Sequence, residues 1–245
     1  MAELASAPVE WNGFTIENDD PNLRGIVLEQ MDEKAFRLRS TVRYHGDTGL
    51  AIENTELRYV NDTVLGPTDL ASVPGPFRWW ANSYGTHTPA ALIHDRFIGA
   101  PPDGQPGRPD GVSEQNIDRY FRFMMHELGV PFLRRWLMWG AVAVRTRLAG
   151  NLIRKISMIA WIVVALAGVA LAVVGVATGE LGLVLVAAVL PLPASLLWGA
   201  QAGAGLIIAY VGVPFLAAPS ILAFPAGVAF RAAEFVVAKL PGRGD

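Results

Sequence analysis

Three short blocks of the chain concentrate side chains that could do chemistry. They are Thr68-Asp69-Leu70-Ala71-Ser72-Val73-Pro74, then His94-Asp95, then Asp118 with Arg122 one helical turn later. An imidazole beside carboxylates can move a proton near neutral pH, or share a divalent metal with oxygen donors. His94, Asp95, Asp69 and Asp118 are therefore the candidate catalytic residues, and Asp69, His94 and Asp118 the candidate ligands of a divalent metal. Each also has a structural use. Asp69 can cap the turn that starts at Leu70. His94 and Asp95 can form a buried polar pair satisfied by backbone groups or by Arg122. Asp118 and Arg122 stand at i and i+4, the spacing of an ordinary helix ion pair. Consecutive helical residues point about 100° apart, so His94 and Asp95 need not share one site. His45 and His87 fall in turn or loop sequence and read as solvated. Phe77, Trp79, Trp80 and Tyr84 read as core or membrane-facing surface.

The elements that must position these residues follow from pattern. Phe14–Ile16, Arg24–Leu28, Ala35–Tyr44, Leu50–Ile52 and Leu57–Val60 are short segments rich in β-formers. Asn18-Asp19-Asp20-Pro21, His45-Gly46-Asp47-Thr48-Gly49 and Asn61-Asp62 separate them as turns. Helices follow. Thr88 is placed to cap a helix with Pro89 at its first position, running to Gly99. Ser113 caps a second through Leu128, stopped by Gly129, and Pro131 opens a third. Sheet first and helices second is an α+β arrangement: a small antiparallel sheet, then helices, then a helical transmembrane region.

The polar blocks carry a resemblance. The run Thr68 to Pro74, then Phe77 and Trp79-Trp80, then Thr88-Pro89-Ala90-Ala91-Leu92-Ile93-His94-Asp95, then Ile117-Asp118 with Phe121 and Met124, resembles the phage-associated family catalogued as domain of unknown function 1353, over about residues 22–148. The resemblance implies a phage or prophage origin and a shared fold, with no reaction attached. The chain departs from the family at Val64-Leu65-Gly66-Pro67, which leads into Thr68, and at Arg96, where the family has an aromatic residue.

Charge divides the chain. Residues 1–127 hold 19 Asp and Glu against 11 Lys and Arg, a net of −8. Residues 128–155 hold six cations (Arg134, Arg135, Arg145, Arg147, Arg154, Lys155) and no acid. From Ile156 to Phe230 the one charged residue in 75 is Glu180, which predicts a segment lying in lipid. The expected organisation is a soluble head (1–130), a basic amphipathic neck helix (131–155), two or three transmembrane helices (156–225) and an amphipathic tail (226–245). Ile156–Ala177 forms the first run, Leu181 to about Trp198 the second, and about Leu206–Phe224 the third. The basic neck places the head in the cytoplasm by the positive-inside rule, in a multi-pass protein of the cell membrane. The N-terminus, Met1 to Pro8, lacks the pattern of a cleaved leader.

These features narrow the function classes. The acidic head repels phosphate, so nucleic acid is not an expected partner. The neck suits anionic lipid headgroups of the bilayer. Without cysteine, thiolate nucleophiles and Cys-based metal sites are excluded. No Asp, Lys, Arg or His lies inside a span, which disfavours transport. Gly168/Ala172, Gly175/Gly179 and Ser195/Gly199/Gly203 recur at spacing four, a pattern that suits a packed hairpin or a homo-oligomer; plain abundance of Gly and Ala produces it too. Two readings remain: a membrane-anchored accessory or binding protein with a protein partner, or a metal-assisted hydrolase built on Asp69, His94 and Asp118. A pore-forming role is weakened by the large head.

Overall fold

The computed structural model describes residues 8–18, 20, 22–30, 36–45, 57–59, 85–98, 108, 111–217, 226–230, 232–233 and 235–236. Two compact units part near the start of the longest helix, one reaching Lys155 and the other continuing from Ile156.

The first unit opens with a hairpin. Strands β1 (Val9–Trp11) and β2 (Phe14–Asn18) pair antiparallel across Asn12 and Gly13. Both turn residues have positive φ (46° and 82°), which a tight two-residue hairpin requires and Asn-Gly tolerates. β2 pairs with β5 (Ser40–Tyr44), and β5 with β6 (Leu57–Tyr59), giving a four-stranded sheet in the order β1-β2-β5-β6. Phe14, Ile16, Val42 and Tyr44 are buried apolar side chains of this sheet, with the Phe14 and Tyr44 rings 4.9 Å apart. Glu17 and Arg43 form an ion pair across the strands.

β3 (Leu28–Gln30) and β4 (Phe36–Leu38) form a separate antiparallel ribbon. The single strand expected over Ala35–Tyr44 is thus two strands in two sheets, with Arg39 between them. Arg39 turns its backbone N–H to Val27 and its guanidinium to Glu29. The strand expected from Arg24 begins only at Leu28, because Gly25 (φ 80°) turns the chain and Asn18 donates to the carbonyls of Leu23 and Gly25. The strand at Leu50–Ile52, the turns at 46–49 and 61–62, the Thr68–Pro74 block with Asp69, and the Phe77–Tyr84 aromatic cluster lie outside the described residues.

Helices follow the strands, as the sequence order predicts. α1 (Thr88–Phe97) carries Pro89 in its first turn. Thr88 does not cap it: its hydroxyl accepts the Gly85 N–H at 2.7 Å. α2 (Glu114–Glu127) is capped by Ser113, whose hydroxyl accepts the Asn116 N–H. It ends at Gly129 (φ 74°), where Gly129 N–H bonds His126 O and Val130 N–H bonds Met125 O, so a left-handed glycine satisfies the last carbonyls. α3 (Phe132–Ala149) starts after Pro131. The sequence predicts one neck helix to residue 155; instead Gly150 is extended and stops it, and α4 (Leu152–Thr178) begins anew behind Asn151.

The second unit is helical. α4 and α5 (Leu181–Val189) form a hairpin closed by Gly179 (φ 73°), with Glu180 N–H on Gly175 O. A Cβ on Gly175 would lie 2.9 Å from Val184 Cγ2 and 3.0 Å from Val184 N, so this glycine lets the two helices touch. Beyond α5 come α6 (Pro191–Ala194), a 3-10 turn (Ser195–Gln201) kinked at Gly199, α7 (Ala202–Ile207) and a π-helical stretch through Ala217. Pro191 and Pro193 lack an N–H for the carbonyls of Ala187 and Val189, and the Tyr210 hydroxyl donates to the neighbouring Ala188 carbonyl. Trp161 and Trp198 meet edge to face at 5.0 Å.

Leu152–Thr178 and Leu181–Phe215 are two helical stretches long and apolar enough to cross a membrane. The stretch between the second and third apolar runs is largely helical, so the start of the third run continues the second stretch. Residues 218–224, the rest of that run, lie outside the described residues, as do Arg231 and Glu234 of the tail.

Candidate functional site

α1 is a core helix. Ala90, Leu92 and Ile93 are fully buried, and so is its one histidine, at 3% exposure. α2 presents an apolar stripe of Ile117, Phe121, Met124, Met125 and Leu128, and Asp118 falls inside it with no exposed surface. A carboxylate there must be answered by polar partners, since an unpaired buried charge is costly. Two other helices supply them. From α1, His94 Nε2 stands 3.0 Å from Asp118 Oδ1. From α3, the Thr146 hydroxyl donates to the same oxygen at 3.2 Å. Asp118 is thus the point where three helices are joined by side-chain hydrogen bonds.

On its other edge, His94 Nδ1 lies 3.4 Å from Asp95 Oδ1, and its ring packs against Phe121 at 4.9 Å. Burial by itself would lower the His94 pKa. The hydrogen bonds to Asp118 and Asp95 and the charges of both carboxylates outweigh it, and the pKa is raised above the usual 6.5. Both ring nitrogens face carboxylate oxygens, which suits an imidazolium donating at each edge. Such a ring has no lone pair left for a metal. The second oxygen of Asp118, Oδ2, is buried and has no hydrogen-bond partner among the described residues.

The structure therefore gathers His94, Asp118 and Asp95 of the four candidate residues; Asp69 lies outside the described residues. No three His, Asp or Glu side chains among the described residues are placed to hold a metal. Arg122, one turn from Asp118, does not pair with it. Its guanidinium sits 4.4 Å from the Trp136 ring centre and 4.3 Å from that of Trp139, and burial, then the charges of Arg135 and Arg119, lower its pKa. His87 is buried at the foot of α1, not solvated as its sequence context suggests, whereas His45 is exposed beside Glu10 and Thr15. Arg96 is buried, with its guanidinium 6.0 Å from the Phe97 ring.

Sequence reasoning missed Thr146. Its signal is faint: it follows Trp139 and Ala143 at helical spacing on the buried side of α3.

Residues 54–142 match the model of a family described as protein of unknown function (DUF1353). No curated protein and no solved structure matches the chain. The matched stretch holds α1, α2 and the first part of α3, and with them His94, Asp95 and Asp118, while Thr146 lies beyond it. Over residues 54–142 the chain is similar to the DUF1353 family.

Proposed function

We propose that this chain is a membrane-anchored accessory or binding protein of phage or prophage origin. Its acidic head (1–130) is held at the cytoplasmic face by the apolar helices of 156–225, where it recruits a protein partner. One observation carries the anchoring. Ile159, Val163, Leu166, Val173 and Val176 on α4, and Leu181, Leu185 and Val189 on α5, are exposed large apolar side chains around helices that carry almost no charge. Water does not tolerate so much continuous apolar surface; lipid does. At about 1.5 Å per residue, α4 is also long enough for a hydrocarbon core of about 30 Å. The head-inside orientation rests on the six cations before the first span, against Glu180 on the opposite turn. In this reading the polar cluster around Asp118 holds the head together. Gly168 and Gly175 pack toward α5 of the same chain, so an oligomer would have to use other faces.

The test is membrane retention of the full chain after alkaline carbonate washing. Release into the soluble fraction without detergent would end the proposal.

A second reading draws on one atom, the unpartnered Asp118 Oδ2. In it, Asp69, His94 and Asp118 hold a divalent cation that activates water for hydrolysis. His94 would then have to give up a proton and one of its carboxylate partners. Metal analysis of the purified chain separates the readings: stoichiometric zinc or manganese, lost in Asp118→Asn, supports the hydrolase.

A further inference from the structure

Where α3 gives way to α4, the fold gathers cations without acids. Gly150 is extended (φ −71°, ψ −165°), and the Asn151 side chain accepts the Arg154 N–H at 3.0 Å to start the new helix. The bend brings Arg154 back against the end of α3. A Cβ on Gly150 would lie 3.2 Å from Arg154 Cδ and 3.3 Å from the Arg147 carbonyl oxygen. Arg147 feels this approach: burial first, then the charge of Arg154, lowers its pKa. Arg145, Arg154 and Lys155 are exposed, and none forms an ion pair among the described residues. Around them stand Leu152, Ile153 and Ile156, which are 70%, 76% and 57% exposed.

We infer that this joint binds the phosphate of an anionic phospholipid, with Arg154 and Lys155 as its principal contacts. The inference rests on the membrane-anchoring reading and names the lipid class the anchor selects. A guanidinium grips phosphate oxygens in pairs, and an ammonium adds a point charge. The N-terminus of α4 contributes its own positive end. The apolar neighbours decide the source of the phosphate. Leu152 and Ile153 sit in the same turn as the cations, so one ligand must offer both a charged group and hydrocarbon. A phospholipid does; free phosphate offers only the first. Long basic side chains reach a headgroup while their stems stay among acyl chains.

The experiment uses the full chain in phosphatidylcholine vesicles carrying trace spin-labelled phosphatidylglycerol or spin-labelled phosphatidylcholine. The expected result is a larger motionally restricted fraction for the glycerol lipid. That preference should fall roughly thirtyfold in Arg154→Gln/Lys155→Gln, at about fivefold per charge. Arg24→Gln, which removes an exposed charge from the head, should leave it unchanged. Equal restriction of the two lipids, or a preference that survives the double substitution, overturns the inference. So does a preference abolished by inorganic phosphate at matched ionic strength, which would mark a site for a soluble anion. If the chain is inserted but shows no preference, the anchoring reading stands and only this inference falls. If the chain is not retained in vesicles at all, both fall.

Discussion

At the scale of single residues, Asp118 decides most. Its one oxygen is shared by His94 and Thr146, so removing either leaves a buried carboxylate short of a donor. His94→Ala should cost about 3–5 kcal/mol, the loss expected when a buried ion pair is broken. Thr146→Val should cost about 1.5–3 kcal/mol, as for a hydrogen bond to a charged group. Denaturant unfolding in micelles measures both, and a double-mutant cycle should show coupling between them. The raised pKa of His94 gives this contribution a pH dependence of known sign. A basic group raised above its unfolded value stabilises fully below about pH 6.5, and the effect is lost as pH rises through the folded pKa. The wild-type melting temperature should therefore decline above neutral pH by a component absent from His94→Gln; identical profiles would contradict the imidazolium assignment. Asp118 was legible as a candidate polar residue from its place beside His94 and Asp95 in the set of blocks, but its burial was not. Nor were its partners. The i,i+4 spacing offered Arg122, but two indoles from α3 hold that guanidinium, and a sequence does not display contacts between helices.

At the scale of elements, local chemistry was legible wherever a turn has its own signature. Ser113, Gly129 and Pro131 bounded α2 and α3 as their side chains and backbone freedom dictate. The first hairpin is hard to read from sequence although Asn12-Gly13 announces it, because the three-residue β1 is too short to show alternation. Gly150 is hidden in the sequence for a related reason. A lone glycine inside helical sequence is tolerated, and only the packing around it makes it a stop. Two substitutions test the elements themselves. Gly129→Ala places a side chain at φ 74° and should cost about 1–2 kcal/mol by denaturant unfolding. Gly175→Ala drives a methyl to 3.0 Å from the Val184 backbone nitrogen, which cannot swing aside as a side chain can. The α4–α5 hairpin should lose about 1–3 kcal/mol from this overpacking, read as a lower melting temperature in micelles. An unchanged melting temperature would mean that the two helices do not touch there.

At the scale of the whole molecule, the division into a polar and an apolar half was legible from one number, the single charge between Ile156 and Phe230. The count of spans was less so, since the small residues between Trp198 and Leu206 separate two apolar runs in sequence, yet the described chain continues in helical turns to Ala217. The absence of cysteine makes orientation testable without background. A thiol placed by Glu180→Cys should react with an impermeant maleimide on intact cells, and one placed by Arg24→Cys only after permeabilisation; the reverse pattern would invert the proposed topology. Thr146 has a practical consequence at this scale. It completes the Asp118 junction from four residues past the end of the family match at 142. A recombinant head trimmed to the region of similarity would leave a buried carboxylate one donor short, and its instability would be mistaken for dependence on the bilayer. A fragment meant to carry the intact Asp118 junction needs to keep α3 whole, through Ala149.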